Sequence, residues 1–162
     1  MKNHFVRLTL TLTLMFTLLG FNSTIVRAAG LCKNTGCEDK NPSTMQCPAT
    51  TSGAVKILPD GKSTVETRKS SASDCDAKWA RVYNKSGGNR YAAASLRYGC
   101  ANYYYSKNIR TTEPIASSST VGIYTMMLAY AATPTRSCGD VSVSPIKTLP
   151  ISISASYCTG AN

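Results

Sequence analysis

Histidine is almost missing from this 162-residue chain, and phenylalanine is scarce: His4, Phe5, Phe16 and Phe21 are the whole supply, all within the first 21 positions. Downstream of them no Ser-His-Asp or Cys-His catalytic set and no His-ligated zinc site can be assembled. Carboxylates number eight against 18 lysines and arginines, too sparse for a calcium loop, which needs about five oxygen-bearing positions in twelve. One tryptophan, Trp79, is present. With so little bulky apolar material, a small domain must find stability elsewhere. Long hydrophobic runs are absent as well. Leu8 to Phe21 (LTLTLTLMFTLLGF) is the most apolar stretch, and its 14 residues fall short of the ~20 that span a bilayer.

That stretch instead has the make-up of a secretory signal. Lys2 and Arg7 form a basic n-region, Leu8 to Phe21 the apolar h-region, and Val26-Arg27-Ala28 places small residues at a cleavage point. The expectation is a signal peptide over 1–28, cleaved near Ala28, and a secreted chain starting at Ala29. Cys32 lacks the spacing of a lipid-attachment cysteine. Removing Lys2, Arg7 and Arg27 lowers the charge from +10 to +7.

Seven cysteines follow: Cys32, Cys37, Cys47, Cys75, Cys100, Cys138 and Cys158. Export places them in an oxidising compartment, and no C-x-x-C pair or histidine argues for metal. They are expected to form structural disulfides with one left over, and spacing alone fixes no connectivity. Cys138 and Cys158 bracket the last two expected strands and are assigned to each other. Cys37–Cys47 and Cys32–Cys75 are the favoured pairs of the opening, leaving Cys100 single.

Along the chain, residues 29–52 hold three cysteines and two prolines with few apolar side chains, and read as a loop held by bridges. Residues 53–162 read as a β domain forming one unit with that loop. Pro59-Asp60-Gly61-Lys62 between Ala54–Leu58 and Ser63–Arg68 predicts a hairpin, because Pro sets φ and Gly accepts a positive one. Ser73-Asp74 is expected to cap a short helical turn through Lys78, followed by extended chain from Trp79 to Tyr83. Lys85–Asn89 reads as a turn and Arg90–Tyr98 as a strand. Val121–Ala131, apolar on both parities, suits a strand covered on both sides or a short buried helix. From Val141 to Tyr157 the period is two, giving strands near 141–144 and 149–157. The fold class is therefore all-β: a small disulfide-stapled sandwich or barrel of about seven strands, with room for one short helical turn.

Four segments together resemble domain-of-unknown-function family 2690. They are Cys32-x4-Cys37 with Asp39-Lys40-Asn41-Pro42 and Cys47; Val65-Glu66-Thr67-Arg68-Lys69-Ser70; Cys75-x3-Trp79-Ala80-Arg81-Val82; and Tyr124-Thr125-Met126-Met127. The chain departs from the pattern at Asn41, Thr67 and Lys69, and Cys100 is additional. The resemblance implies a small secreted bacterial protein and supplies no catalytic residue.

Candidate sites are few. Asp74 and Asp76, and Glu38 and Asp39, are carboxylate pairs, but neighbours on extended chain diverge rather than face one substrate. Trp79 and Arg81 share a strand face, where Trp79 is expected to be core. Tyr103, Tyr104 and Tyr105, with Tyr98, Lys107 and Arg110 nearby, combine aromatics and cations and form the candidate surface-binding cluster. Asn84-Lys85-Ser86 is a glycosylation sequon. The expected function is non-enzymatic: a secreted, basic binding or interaction module at an anionic cell-envelope polymer or membrane surface, using no cofactor, metal or nucleic acid. A structural or protective exoprotein, or a secreted toxin without enzymatic activity, is the alternative. Oligomeric state is left open by the sequence.

Overall fold

The computed structural model describes residues 30–51, 55–98, 105–118, 122–129, 134–147 and 157–161. Nine strands run through them: β1 (Thr50–Thr51), β2 (Lys56–Ile57), β3 (Thr64–Lys69), β4 (Ala77–Tyr83), β5 (Tyr91–Tyr98), β6 (Tyr105–Arg110), β7 (Gly122–Tyr124), β8 (Leu128–Ala129) and β9 (Thr135–Ser142). All pair antiparallel. Six make one sheet, ordered β1-β3-β4-β7 with β2 also on β3 and β8 also on β4; the other three make a second sheet, β6-β5-β9.

The sheets stack face to face, and their alternation decides what is inside. Val65 and Thr67 of β3, and Ala80 and Val82 of β4, point inward, while Glu66, Arg68, Trp79, Arg81 and Tyr83 point outward. From the smaller sheet Ala92, Ala94 and Leu96 face them, with Val141 of β9 and Ile109 of β6 completing the layer. Small residues take the place of the missing phenylalanines. Gly139 of β9 makes the closest approach: a Cβ there would come within 2.6 Å of Val82 Cγ2 and 2.9 Å of Val65 Cβ, so β9 can lie against β3 and β4 only without a side chain. Thr67 Oγ1 and Ser137 Oγ, both fully buried, share a 2.7 Å hydrogen bond across the same gap.

Several expectations meet the structure unevenly. The all-β class holds, and the Pro59–Lys62 turn joins β2 to β3, with Gly61 at φ 71°. The helical turn expected over Ser73–Lys78 does not form. Asp76 adopts φ 50°, which ends the turn, and Ala77 opens β4. The one short helical element among the described residues is a 3₁₀ turn at Asn34–Cys37. The continuous strand or helix expected over Val121–Ala131 is instead β7 and β8 with a break between. Thr125 makes the break by answering Ala80 twice: its Oγ1 accepts from the Ala80 amide at 3.1 Å and its own amide donates to the Ala80 carbonyl at 3.0 Å. The last period-two run also shifts. β9 begins six residues before Val141 and ends at Ser142, which leaves Val143, expected inward, 74% exposed. The strand expected over 149–157 lies almost wholly outside the described residues.

Candidate functional site

The outward face of the six-stranded sheet collects most of the motif residues. At one end it is roofed by the cysteine-rich segment. Trp79, 3% exposed, packs there with Cys37, Cys75, Ala77 and Met127, flanked by Met45, Ala49 and Tyr124. Trp79 is thus core, as expected from its size. The roof is tied down through the break in the β7–β8 run. The Asp39 amide donates to the Met127 carbonyl at 3.1 Å, and the Met127 amide donates to the Lys40 carbonyl at 2.9 Å.

Disulfides fix the roof, with connectivity that corrects the sequence-based pairing. Cys32 bonds Cys37 and Cys47 bonds Cys75, replacing the expected Cys37–Cys47 and Cys32–Cys75 links. The 3₁₀ turn folds Cys37 back to a Cα–Cα distance of 5.2 Å from Cys32. The Asn34 amide, donating to the Cys75 carbonyl at 2.7 Å, holds that turn against the strand-entry loop. Both observed Cα separations suit a bridge. Cys138–Cys158 forms as expected and pins the C-terminal segment beside β9, where Cys158 pairs with Cys138 as an antiparallel bridge and Ala93, Ile146 and Tyr157 pack around the disulfide. Cys100 lies outside the described residues.

Beyond the roof, the same sheet face turns polar. Glu66 is buried, and its carboxylate accepts from Thr51 Oγ1 at 2.9 Å and from Arg68 Nη1 at 3.0 Å. Arg68 Nη2 also donates to the Ala49 carbonyl at 3.0 Å, joining β3 to the chain before β1. The Tyr83 phenol is held protonated above its ordinary range by burial first, then by its hydrogen bond to Glu66 and that carboxylate's charge, with Arg81 and Arg68 opposing. Over its ring sit two cations, the Arg81 guanidinium 4.9 Å and the Lys85 ammonium 5.7 Å from the centroid. Arg81 therefore stacks on Tyr83, two residues along β4, whereas Trp79, on the same strand face, is covered by the roof. Ile57 of the edge strand β2, in register with Thr64 and through it with Tyr83, is 60% exposed at the border of this patch. Nothing in the sequence singled out Tyr83; the signal available was its two-residue spacing from Arg81 on an alternating strand.

The other expected site residues divide. Tyr103 and Tyr104 lie outside the described residues, and Tyr105 opens β6 opposite Tyr98. Lys107 pairs with Asp39, fastening β6 to the roof and leaving the lysine side chain only 14% exposed. Arg110 Nη1 donates to the Ile146 and Lys147 carbonyls, each at 3.2 Å. Both cations thus serve contacts within the chain. Asp74 and Asp76 border a cleft of ≈ 270 Å³ with Lys69, Ser70 and Ser71, where the Ser71 hydroxyl donates to Asp74. The sequon asparagine, Asn84, is 0% exposed and donates to the Gly88 and Ile115 carbonyls at 2.8 Å, so its amide is consumed by the fold.

No family model matches the chain, and neither a curated protein nor a solved structure does.

Proposed function

We propose that this is a secreted binding module, its signal segment removed near Ala28, that engages an anionic cell-envelope polymer or membrane surface. The observation that carries the reading is the pair of cations, Arg81 and Lys85, gathered over the Tyr83 ring on an outward sheet face. An exposed apolar side chain borders it, Ile57 of the β2 edge. Cations beside apolar anchors suit a surface that is negatively charged outside and greasy beneath. The charge of +7 after signal removal adds a long-range attraction of the same sign. Residues of the motifs that resemble domain-of-unknown-function family 2690 (Glu66, Arg68, Trp79, Arg81 and Tyr124) build this face and its roof, which supports placing the interaction there.

Sedimentation with vesicles tests it, comparing mixed anionic and zwitterionic lipid against zwitterionic lipid alone, alongside purified anionic wall polymer. Binding is expected only to the anionic materials at low salt and should fade by about 0.5 M, where the Debye length is near 4 Å. Arg81→Gln with Lys85→Gln should weaken it about 30-fold, since each juxtamembrane cation contributes about 1 kcal/mol. Equal binding to zwitterionic vesicles, or none to either anionic material, would remove the reading.

A further inference from the structure

Two disulfides rarely need to touch, yet here the four sulfurs of Cys32, Cys37, Cys47 and Cys75 all lie within 4.8 Å of one another. Cys37 and Cys75 are buried, while Cys32 and Cys47 are partly exposed. Each bridge therefore has one sheltered and one reachable sulfur, and the two reachable ones, Cys32 Sγ and Cys47 Sγ, are 4.0 Å apart. Gly30 packs directly on the Cys47–Cys75 bridge: a methyl group there would come within 2.1 Å of Cys75 Sγ and 3.5 Å of Cys47 Sγ, so only glycine lets the chain pass this close. Between intact disulfides such proximity does nothing, because exchange starts from a thiolate.

We propose that this cluster is a thiol–disulfide exchange site, at which an incoming thiol reacts at Cys32 and the change is relayed to the Cys47–Cys75 bridge. The incoming thiolate attacks Cys32 Sγ and forms a mixed disulfide; the Cys32–Cys37 bond breaks and its electron pair leaves on Cys37 Sγ. The Cys75 carbonyl oxygen, 3.3 Å from Cys37 Sγ, keeps the freed sulfur in place by accepting its S–H when protonated. As the thiolate, Cys37 attacks Cys47 Sγ, the Cys47–Cys75 bond breaks, and Cys75 Sγ takes the electron pair and a proton. A second molecule of thiol then releases the first as its disulfide and leaves Cys32 as a thiol. Two thiols are oxidised and one protein disulfide is reduced. The same residues that roof Trp79 thereby acquire chemistry that the electrostatic reading of the opposite end of the face does not need.

A single substitution isolates the relay. Cys32→Ser leaves Cys37 as a thiol within 4.8 Å of Cys47 Sγ in the native geometry. Alkylation after native incubation, followed by peptide mapping, should find the label lost from Cys37 and gained at Cys75, with a new Cys37–Cys47 link. Cys138→Ser is the control, and its label should stay on Cys158. Label confined to Cys37 with Cys47–Cys75 intact would overturn the proposal. Should Cys32→Ser fail to fold by Trp79 fluorescence, the wild-type chain with one equivalent of glutathione in native buffer gives the answer. Cys37–Cys47 peptides are then expected beside an unchanged Cys138–Cys158 bridge, and recovery of native pairs alone refutes the exchange. Vesicle binding is read separately, so failure of one proposal leaves the other standing.

Discussion

At Asp60 one carboxylate organises the whole β2–β3 turn. Its Oδ1 accepts from the Lys62 amide at 3.1 Å and the Ser63 amide at 2.8 Å, and its Oδ2 accepts from the Ser63 hydroxyl. Burial pushes this carboxyl's pKa up, but those hydrogen bonds, with the nearby Arg90 charge, outweigh it and hold it below the usual carboxylate range. A depressed carboxylate pKa stabilises the fold above the unfolded value near 3.8 and stops doing so as the pH falls through the folded one. Asp60→Ala should therefore cost about 1 kcal/mol at pH 7, modest because water screens an exposed turn. Urea titration of both proteins should show that difference shrinking as the pH falls below the unfolded value near 3.8 and on through the lower folded one, where the Asp60 carboxyl takes up its proton. Trp79 carries the larger residue-scale stake. Trp79→Ala should cost about 3–5 kcal/mol, read as a lower thermal midpoint, because its cavity would open beneath two disulfides that cannot collapse into it.

Between elements, the contact of β3 with β9 shows how a core without phenylalanine is made specific. Thr67 and Ser137 bond to each other in a gap narrowed by Gly139, so neither hydroxyl can reach water. Thr67→Val alone should cost about 1–3 kcal/mol by stranding the Ser137 hydroxyl, while adding Ser137→Ala should recover most of the loss. A double-mutant cycle in denaturant checks it, and additive single effects would refute the pairing. The β7–β8 break is of the same kind. Thr125 diverts the Ala80 amide to its side chain, and Met127 thereby presents its backbone to the roof at Asp39 and Lys40.

For the molecule as a whole, two staples do different work. The N-terminal pair secures a roof over one sheet, and Cys138–Cys158 closes a separation of 20 residues across the other. Replacing Cys138 and Cys158 together by Ala should lower stability by about 3 kcal/mol, the loop-closure value for that separation. Because Cys138 lies beneath Ile146 and Tyr157, exposure of that segment should follow, measurable as faster amide exchange at Thr159, whose amide bonds the Ser137 carbonyl at 2.9 Å.

Period two and turn chemistry are local, and they were enough to determine the all-β class, the Asp60 turn and the strand ending at Tyr98. Trp79 as core followed from size alone. The Cys138–Cys158 bridge was legible too, since these two are remote from the cysteine-rich opening. The remaining connectivity was not, because Cys32, Cys37, Cys47 and Cys75 converge within 4.8 Å and spacing cannot rank pairings that close. Asp76 turning left-handed, Thr125 interrupting a strand and Arg81 choosing Tyr83 over Trp79 depend on what packs above them. Lys107 and Arg110 read as surface cations until Asp39 and the Ile146–Lys147 backbone came to meet them from distant parts of the chain. Local pattern decides which way a side chain points; only the assembled sheets and their roof decide what it meets there.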